Sequence, residues 1–144
     1  NKFEIRPMPS SYHKQTYKDK NDIDINQLTQ SIPVSPEDVY FVTLSFRGYL
    51  PGKWMEHYFA LDTEYWEGLD VDFSVAGLAV ENHPNCLFTV CKYQDDFEKM
   101  LKPAMNYLKE NGLTPEGDFY GRQNVVTYEN ENLVEHYRIY IPLK

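Results

Sequence analysis

The chain repeats part of itself at a constant spacing of 79 residues. Residues 35–58 align with residues 114–137 without a gap, and six of the 24 positions are identical. The longest identical run is Glu56-His57-Tyr58, which recurs as Glu135-His136-Tyr137. This period is too long for one unit of a solenoid and suits a half-domain that combines a helix with strands. We therefore predict a duplicated unit whose two copies are related by a pseudo-two-fold axis and meet at a central cleft.

Composition restricts the classes of partner. The 144 residues suffice for one compact domain with a core, and the net charge of −8 disfavours nucleic acid and anionic membrane surfaces. No apolar run approaches the length of a membrane-spanning helix, and the first residues lack the apolar segment of a signal peptide. We expect a cytoplasmic protein that neither binds nucleic acid nor inserts into a membrane. Exposed sheet edges make a homodimer an expectation as well.

Both halves predict the same order of elements, which is strand, helix, strand, strand. In the first half, aromatic and β-branched residues indicate a strand at 39–46, and a turn rich in Gly and Pro leads into a second strand at 54–61. In the second half, apolar side chains recur every three or four residues from Phe97 to Leu108, which indicates a helix. Two further strands are predicted near 118–128 and 133–143.

Prolines are predicted to interrupt two other strands. We expect Pro7 and Pro9 to end the first strand or to place it at an edge of the sheet, and His83-Pro84-Asn85 to separate a strand at 73–80 from one at 86–93. Taken together, the elements predict an α+β fold with a mainly antiparallel sheet and two helices on one face.

We predict a single domain over residues 1–144. Module one covers about residues 1–62, an acidic connector covers about 62–72, and module two covers about 73–144. Cys86 and Cys91 lie five residues apart on one predicted strand, so their side chains point to opposite faces. We therefore expect two buried, unpaired thiols.

Four segments of the chain carry a family resemblance. They are Ile5-Arg6-Pro7-Met8-Pro9 near the start, and residues 107–113, 115–120 and 134–143 in the second half. Together they resemble the GyrI-like effector-binding domain family, to which the drug-sensing domains of multidrug-responsive transcription activators belong. The resemblance implies two strand-helix-strand-strand modules around a ligand cleft. The chain is also similar to small acidic Firmicute proteins encoded beside type VII secretion toxin genes, which implies a chaperone role for a secreted toxin.

One position departs from the family pattern. Many ligand-sensing members carry a Glu on the last strand, four residues before its Pro, that meets cationic drugs. Here that position is Arg138, while Glu135 has the other parity along the strand. An Arg at the floor of the cleft suits a carboxylate or a phosphate. It could equally form an internal ion pair with one of the 22 acidic residues.

Strand alternation predicts which side chains face the cleft. On the last strand, Tyr137 should pack under the helices, whereas His136, Arg138 and Tyr140 should face the cleft. The repeat transfers this assignment to the first half. There Tyr58 should face the helices, and His57 and Phe59 should face the cleft.

The two histidines could then approach each other across the axis. Two imidazoles are too few for a structural zinc site, so we expect no metal. The alternative is that Glu-His-Tyr is a strand-packing motif in both halves.

Aromatic residues complete the candidate surfaces. The remaining cleft walls are predicted to be Tyr40, Tyr93 and Tyr120. The candidates for a partner surface are Trp54, Tyr65 and Trp66. For Tyr65 and Trp66 a lid over the cleft stays an alternative, and for Trp54 so does packing in the core or the cleft wall.

Two functions follow from these features. The sequence has no nucleophile elbow, phosphate-binding glycine loop or zinc-protease motif, so we expect no catalysis and no cofactor, with a small-molecule hydrolase as the enzyme alternative. The missing Glu and the missing DNA-binding module favour a partner-binding protein, such as a cytoplasmic chaperone or adaptor for a type VII secreted toxin. The alternative is a stand-alone effector-binding domain whose small-molecule ligand lies in the cleft with Arg138 as its anchor.

Overall fold

A computed structural model describes residues 2–13, 16–17, 42–52, 55–62 and 79–144. Over these residues the chain has the predicted α+β class, with one helix and seven strands. The elements are β1 (Glu4–His13), β2 (Thr16–Tyr17), β3 (Val42–Tyr49), β4 (Met55–Asp62), β5 (Ala79–Lys92), α1 (Phe97–Glu110), β6 (Asp118–Glu129) and β7 (Asn132–Pro142). The predicted first helix and the connector lie outside the described residues.

The strands form one antiparallel sheet in the order β1-β5-β7-β6-β3-β4-β2. In addition, Ser11 and Tyr12 of β1 pair with Asp62 and Leu61 of β4. This pairing joins β1 to β4, so that β1, β5, β7, β6, β3 and β4 follow one another in a closed ring. The short strand β2 lies outside the ring, beside β4. The order β5-β7-β6 is mirrored by β1-β4-β3, which is the arrangement that two copies of a strand followed by a hairpin would produce. The proposed module boundaries stay a prediction.

Helix α1 forms where the apolar spacing predicted it, and local signals define both its ends. At the start, the side chain of Asp96 accepts a hydrogen bond from the amide of Lys99 at 3.1 Å, as an N-cap does. At the end, Gly112 has a φ of 63°, and the amide of Leu113 donates to the carbonyl of Leu108 at 2.9 Å. This is a Schellman closure, which requires a left-handed residue at the glycine position.

One face of the sheet, the helix-side face, packs against α1 and forms the main core. The helix contributes Met100, Leu101, Ala104 and Leu108 to this core. The sheet contributes Phe46, Leu87, Cys91, Phe119, Tyr137, Ile139 and Ile141. Because strand side chains alternate, the residues between these point to the opposite face.

The opposite face is the interior of the ring, and we call it the inner face. Arg122 of β6 donates from Nη1 to the carbonyl of Pro9 at 2.8 Å and from Nη2 to Oγ of Ser11 at 2.7 Å, and both acceptors lie on β1. In the ring, β1 and β6 are three strands apart in either direction. The guanidinium therefore spans the interior of the curled sheet.

Two strands run further than predicted. Pro7 and Pro9 do not end β1, and His83-Pro84-Asn85 does not break β5. The pairing between the two strands instead shifts register between Arg6 and Met8 and again between Met8 and Ser11. These irregularities accommodate prolines, which donate no ladder hydrogen bond.

One prediction of the sequence is confirmed elsewhere in the sheet. The prediction for the thiols holds, because Cys86 and Cys91 are free, buried and on opposite faces. Across the described ranges, no helix has the length and apolar character needed to cross a bilayer.

Candidate functional site

The inner face combines buried polar groups with a small apolar cluster. The buried polar residues on this face are Ser11, Ser45, Glu56, Glu81 and Arg122. The apolar cluster comprises Met8, Cys86, Phe88, Tyr120 and Tyr140. Because polar and aromatic side chains share one enclosed face, this face offers the mixture that small-molecule sites use.

A charged network on the inner face links β3 and β4 to β5, which is not adjacent to either strand in the ring. Arg47 forms an ion pair with Glu56, and its Nη1 lies 3.8 Å from Oε1 of Glu81. The hydroxyl of Tyr58 donates to Oε2 of Glu81 at 3.0 Å. Burial, together with the charge of Glu81, raises the pKa of Tyr58 well above its ordinary value. Tyr58 therefore stays a neutral hydrogen-bond donor.

A second group of charges contains no carboxylate. Arg122 of β6 and Arg138 of β7 are direct cross-strand partners. Nε of each side chain is buried and has no hydrogen-bond partner among the described residues. Within the same residues, neither guanidinium forms an ion pair. Two positive charges thus lie side by side on the inner face without an ion pair to a described carboxylate.

The ring is open next to Arg138. The pairing of β1 with β5 ends at Glu4, which lies opposite Phe88. Val90 is two residues further along β5, lies opposite Arg138 and is 37% exposed. At the edge of this opening the guanidinium of Arg6 lies 3.8 Å from the ring centroid of Phe88 and pairs with Glu4.

Four predicted cleft residues lie on the inner face, where alternation assigned them. Tyr120 and Tyr140 belong to its apolar cluster. Arg138 lies between Val90 and Arg122, and Nε2 of His136 lies 3.4 Å from Oγ1 of Thr127. Their role as ligand contacts stays a prediction.

Two other cleft assignments were wrong, because His57 and Tyr93 lie on the helix-side face. His57 is the cross-strand partner of Phe46, and their rings meet edge to face with centroids 6.0 Å apart. Tyr93 follows the alternation of Leu87 and Cys91 and contacts the rings of Phe97 and Tyr137. The two repeat histidines therefore lie on opposite faces of the sheet and do not form a pair.

An irregularity in β6 explains the error on the first hairpin. The repeat maps the pair Phe46–His57 onto Val125–His136, and both are direct partners. However, β6 shifts register between Gln123 and Val125. One extra residue in a strand reverses the facing of every residue beyond it. Tyr58 consequently faces inward, whereas its repeat equivalent faces the helix.

Several predicted residues cannot be placed on either face. Tyr40, Trp54, Tyr65 and Trp66 lie outside the described residues, as does the side chain of Phe59. Across the described ranges, no group of three or more His, Cys, Asp and Glu side chains gathers as a metal site would require.

Sequence reasoning missed the residues that give the inner face its charge. Arg122, Glu81 and Glu56 were not selected. For Arg122 a signal existed, because it has the parity of Tyr120, which was assigned to the cleft. For Glu81 and Glu56 no local signal existed, since β5 was predicted to break nearby and β4 was assigned the opposite facing.

Comparisons with known proteins identify the fold. Neither a protein-family model nor a curated protein matches the sequence. SAV2435 bound to tetraphenylphosphonium aligns with a TM-score of 0.45 and 13% identity over 100% of this chain and 94% of that chain. A TM-score this low does not support an argument. The EcmrR C-terminal domain aligns with a TM-score of 0.63 and 10% identity over 99% of this chain and 97% of that chain. The chain therefore shares the fold of the EcmrR C-terminal domain, which fits the GyrI-like resemblance at the level of the fold.

Proposed function

We propose that the protein is a non-catalytic binding domain that holds a small molecule on the inner face of its sheet. The observation that carries the proposal is the composition of this face. It combines buried charges with aromatic walls inside a curled sheet that is open near Val90 and Arg138. Burying charge is costly, so a face built only for stability would be expected to be apolar, as the helix-side face is.

The aromatic walls support a ligand with an apolar part. Phe88 and Tyr140 are cross-strand partners with ring centroids 5.1 Å apart, and Tyr120 lies opposite Tyr140 on the next strand. Aromatic rings of this kind line most small-molecule sites, and a few polar groups then orient the ligand. On the inner face those polar groups are the arginines and glutamates described above.

A chaperone for a type VII secreted toxin is the other function that the resemblance implied. Its candidate surface residues, Trp54, Tyr65 and Trp66, lie outside the described part of the chain, and no described contact favours it. We therefore place ligand binding first. A protein partner that co-purifies stoichiometrically from the native cell, and that still binds when the inner face is altered, would reverse this order.

A screen that reports the site of binding tests the proposal. Small neutral, cationic and anionic aromatic compounds, including tetraphenylphosphonium, are added to the ¹⁵N-labelled protein while its amide spectrum is recorded. We expect at least one compound to shift the amides of β5, β6 and β7 around Val90, Tyr120 and Arg138. Tyr140→Leu should weaken the binding of that compound, whereas Tyr128→Leu should leave it unchanged, because Tyr128 is 76% exposed.

Two results would count against the proposal. In the first, no compound perturbs the inner face although the protein is folded. In the second, the shifts gather instead at the groove of about 400 Å³ lined by Ile5, Asn85, Leu113 and Lys144. That groove lies at the end of α1, so the two locations are distinguished by their amides.

A further inference from the structure

We propose that the ligand of the inner face carries an oxyanion, a carboxylate or a phosphate, which Arg138 and Arg122 hold together. This inference rests on the proposed function and names the chemical class of the ligand. It is carried by one juxtaposition, which is two neighbouring guanidinium groups with buried, unpartnered Nε–H donors and no ion pair to a described residue.

Arg138 is the accessible member of the pair. Its Nε is buried and has no acceptor among the described residues. Within those residues it also forms no ion pair, although the chain has 22 acidic residues and a net charge of −8. The internal ion pair that was the alternative for this residue is therefore not formed in the described part of the chain. Its cross-strand neighbour Val90 is 37% exposed, so a solute can approach from this side.

Arg122 is the fixed member of the pair. It is 4% exposed, and its two terminal nitrogens already donate to the carbonyl of Pro9 and the hydroxyl of Ser11. Both acceptors are neutral, so these hydrogen bonds hold the positive charge in place without forming an ion pair. Its Nε–H remains without an acceptor in the described residues.

The pair is unfavourable unless an anion joins it. Like charges directly opposite each other on neighbouring strands destabilise a sheet, and a buried donor without an acceptor costs about 1–3 kcal/mol. A carboxylate or phosphate would accept from the guanidinium groups and neutralise part of their charge. Arginine suits these groups because its planar donors match their oxygens in pairs.

The acidic residues of this face are engaged elsewhere, which favours an anion over a cation. Glu56 and Glu81 are occupied by Arg47 and Tyr58. A cation placed next to Arg138 would meet two positive charges. An anion placed there would meet them as partners, with the rings of Phe88 and Tyr140 beside it for an aromatic group.

The test compares four probes that all contain phenyl groups and differ in charge. Benzoate and phenyl phosphate are the two anions, benzamide is the neutral isostere of benzoate, and tetraphenylphosphonium is the cation. Each is titrated into the ¹⁵N-labelled protein, and the side-chain Nε–H signals of the arginines are followed together with the backbone amides. We expect an anion to bind at least about tenfold more tightly than benzamide, as one or two charge-assisted hydrogen bonds imply. The Nε–H signals of Arg138 and Arg122 should shift with it.

A matched pair of variants separates a specific site from general attraction. Arg138→Gln should lower the affinity for the anion at least about tenfold and leave the affinity for benzamide unchanged. Lys92→Gln removes the same charge from the adjacent strand, where Lys92 already pairs with Glu129, and should leave the anion's affinity within about twofold. The side chain of Arg138 makes no hydrogen bond to the described residues, so its variant is expected to fold, and its thermal midpoint verifies this.

Each outcome bears on the inference. A response to benzoate alone assigns a carboxylate ligand, and a stronger response to phenyl phosphate assigns a phosphate. The inference is overturned if benzamide or tetraphenylphosphonium binds as tightly as both anions, or if Arg138→Gln binds the anions normally. Binding of tetraphenylphosphonium on the inner face without anion binding would overturn this inference and leave the proposed function standing. Failure of every probe there would count against both.

Discussion

Burial changes the ionisation of individual side chains on the inner face. Burial is the largest cause that raises the pKa of the Cys86 thiol, to about 11 from an ordinary value of 9.0. The pKa of Tyr120 is raised for the same reason, and the charges of Glu81 and Asp118 add to the effect. These groups stay protonated in the folded protein at pH values where the unfolded chain begins to lose its protons.

Cys86 therefore makes stability fall in alkaline solution. Below about pH 9 the thiol is protonated in both states and contributes nothing. Between about pH 9 and 11 only the unfolded chain releases the proton, so the free energy of unfolding falls by about 1.4 kcal/mol per pH unit, or about 2–3 kcal/mol in total. We expect Cys86→Ala to lose that much less stability than the wild type over this range, measured by urea unfolding at several pH values.

Cys91→Ala serves as the control for the alkaline effect. Cys91 is also buried, and its pKa is raised, but it lies on the helix-side face. Its replacement should leave the contribution of Cys86 in place. Equal alkaline losses in the wild type and in Cys86→Ala would contradict the prediction.

Strand irregularities and close approaches set the geometry of single elements. Gly121 of β6 lies directly opposite Phe46 of β3, and a side chain at Gly121 would overlap the Phe46 ring. The ring covers the glycine backbone on the helix-side face, where it also contacts Phe119 and Tyr137. A glycine in a strand interior often marks such an approach.

Gly121→Ala should lower the free energy of unfolding by about 1–3 kcal/mol, because it overpacks a filled core. A smaller side chain at the opposite position should relieve part of this loss. We therefore expect Phe46→Leu combined with Gly121→Ala to be less destabilised than the sum of the two single changes, measured in a double-mutant cycle by urea unfolding. Strictly additive effects would show that the two residues do not contact.

Local signals predicted α1, β6 and β7 well, for reasons visible in α1. Its start and end depend on Asp96 and Gly112, whose effects reach only a few residues. The same is true of β6 and β7, whose predicted limits differ from the observed ones by one residue. The strands β1 and β5 were predicted to break at prolines because the register shifts that accommodate them involve a partner strand distant in the sequence.

The whole molecule is a ring of strands with Arg122 across its interior. The hydrogen bonds described between β6 and β1 on the inner face both come from this side chain. Ser11 is completely buried, and its hydroxyl accepts a hydrogen bond from Arg122. Removal of Arg122 would therefore leave this buried hydroxyl without that donor. One residue from the second half thus binds the first strand across the ring, alongside the contacts that Arg47 and Tyr58 make to Glu81.

Arg122→Met should lower the free energy of unfolding by about 2–4 kcal/mol, because it removes the donor to the buried Ser11 hydroxyl and to the Pro9 carbonyl. We also expect faster amide hydrogen exchange in β1 around Ser11, on the opposite side of the ring from the substitution. Arg138→Met is the control, since the side chain of Arg138 has no hydrogen bond to the described residues, and it should leave β1 exchange unchanged. Acceleration confined to β6 would contradict a spanning role for Arg122.

The sequence by itself determined the features that depend on near neighbours. These are the α+β class, helix α1 with its caps, the facing of Arg138 and Tyr140 on the last strand, and the separation of Cys86 from Cys91. The tertiary structure decided the facing of the first hairpin and the composition of the inner face. The physical reason is that facing in a strand has a period of two, so the single irregularity near Asn124 reverses it. A buried Arg122 likewise acquires its partners only when strands more than a hundred residues apart meet across the ring.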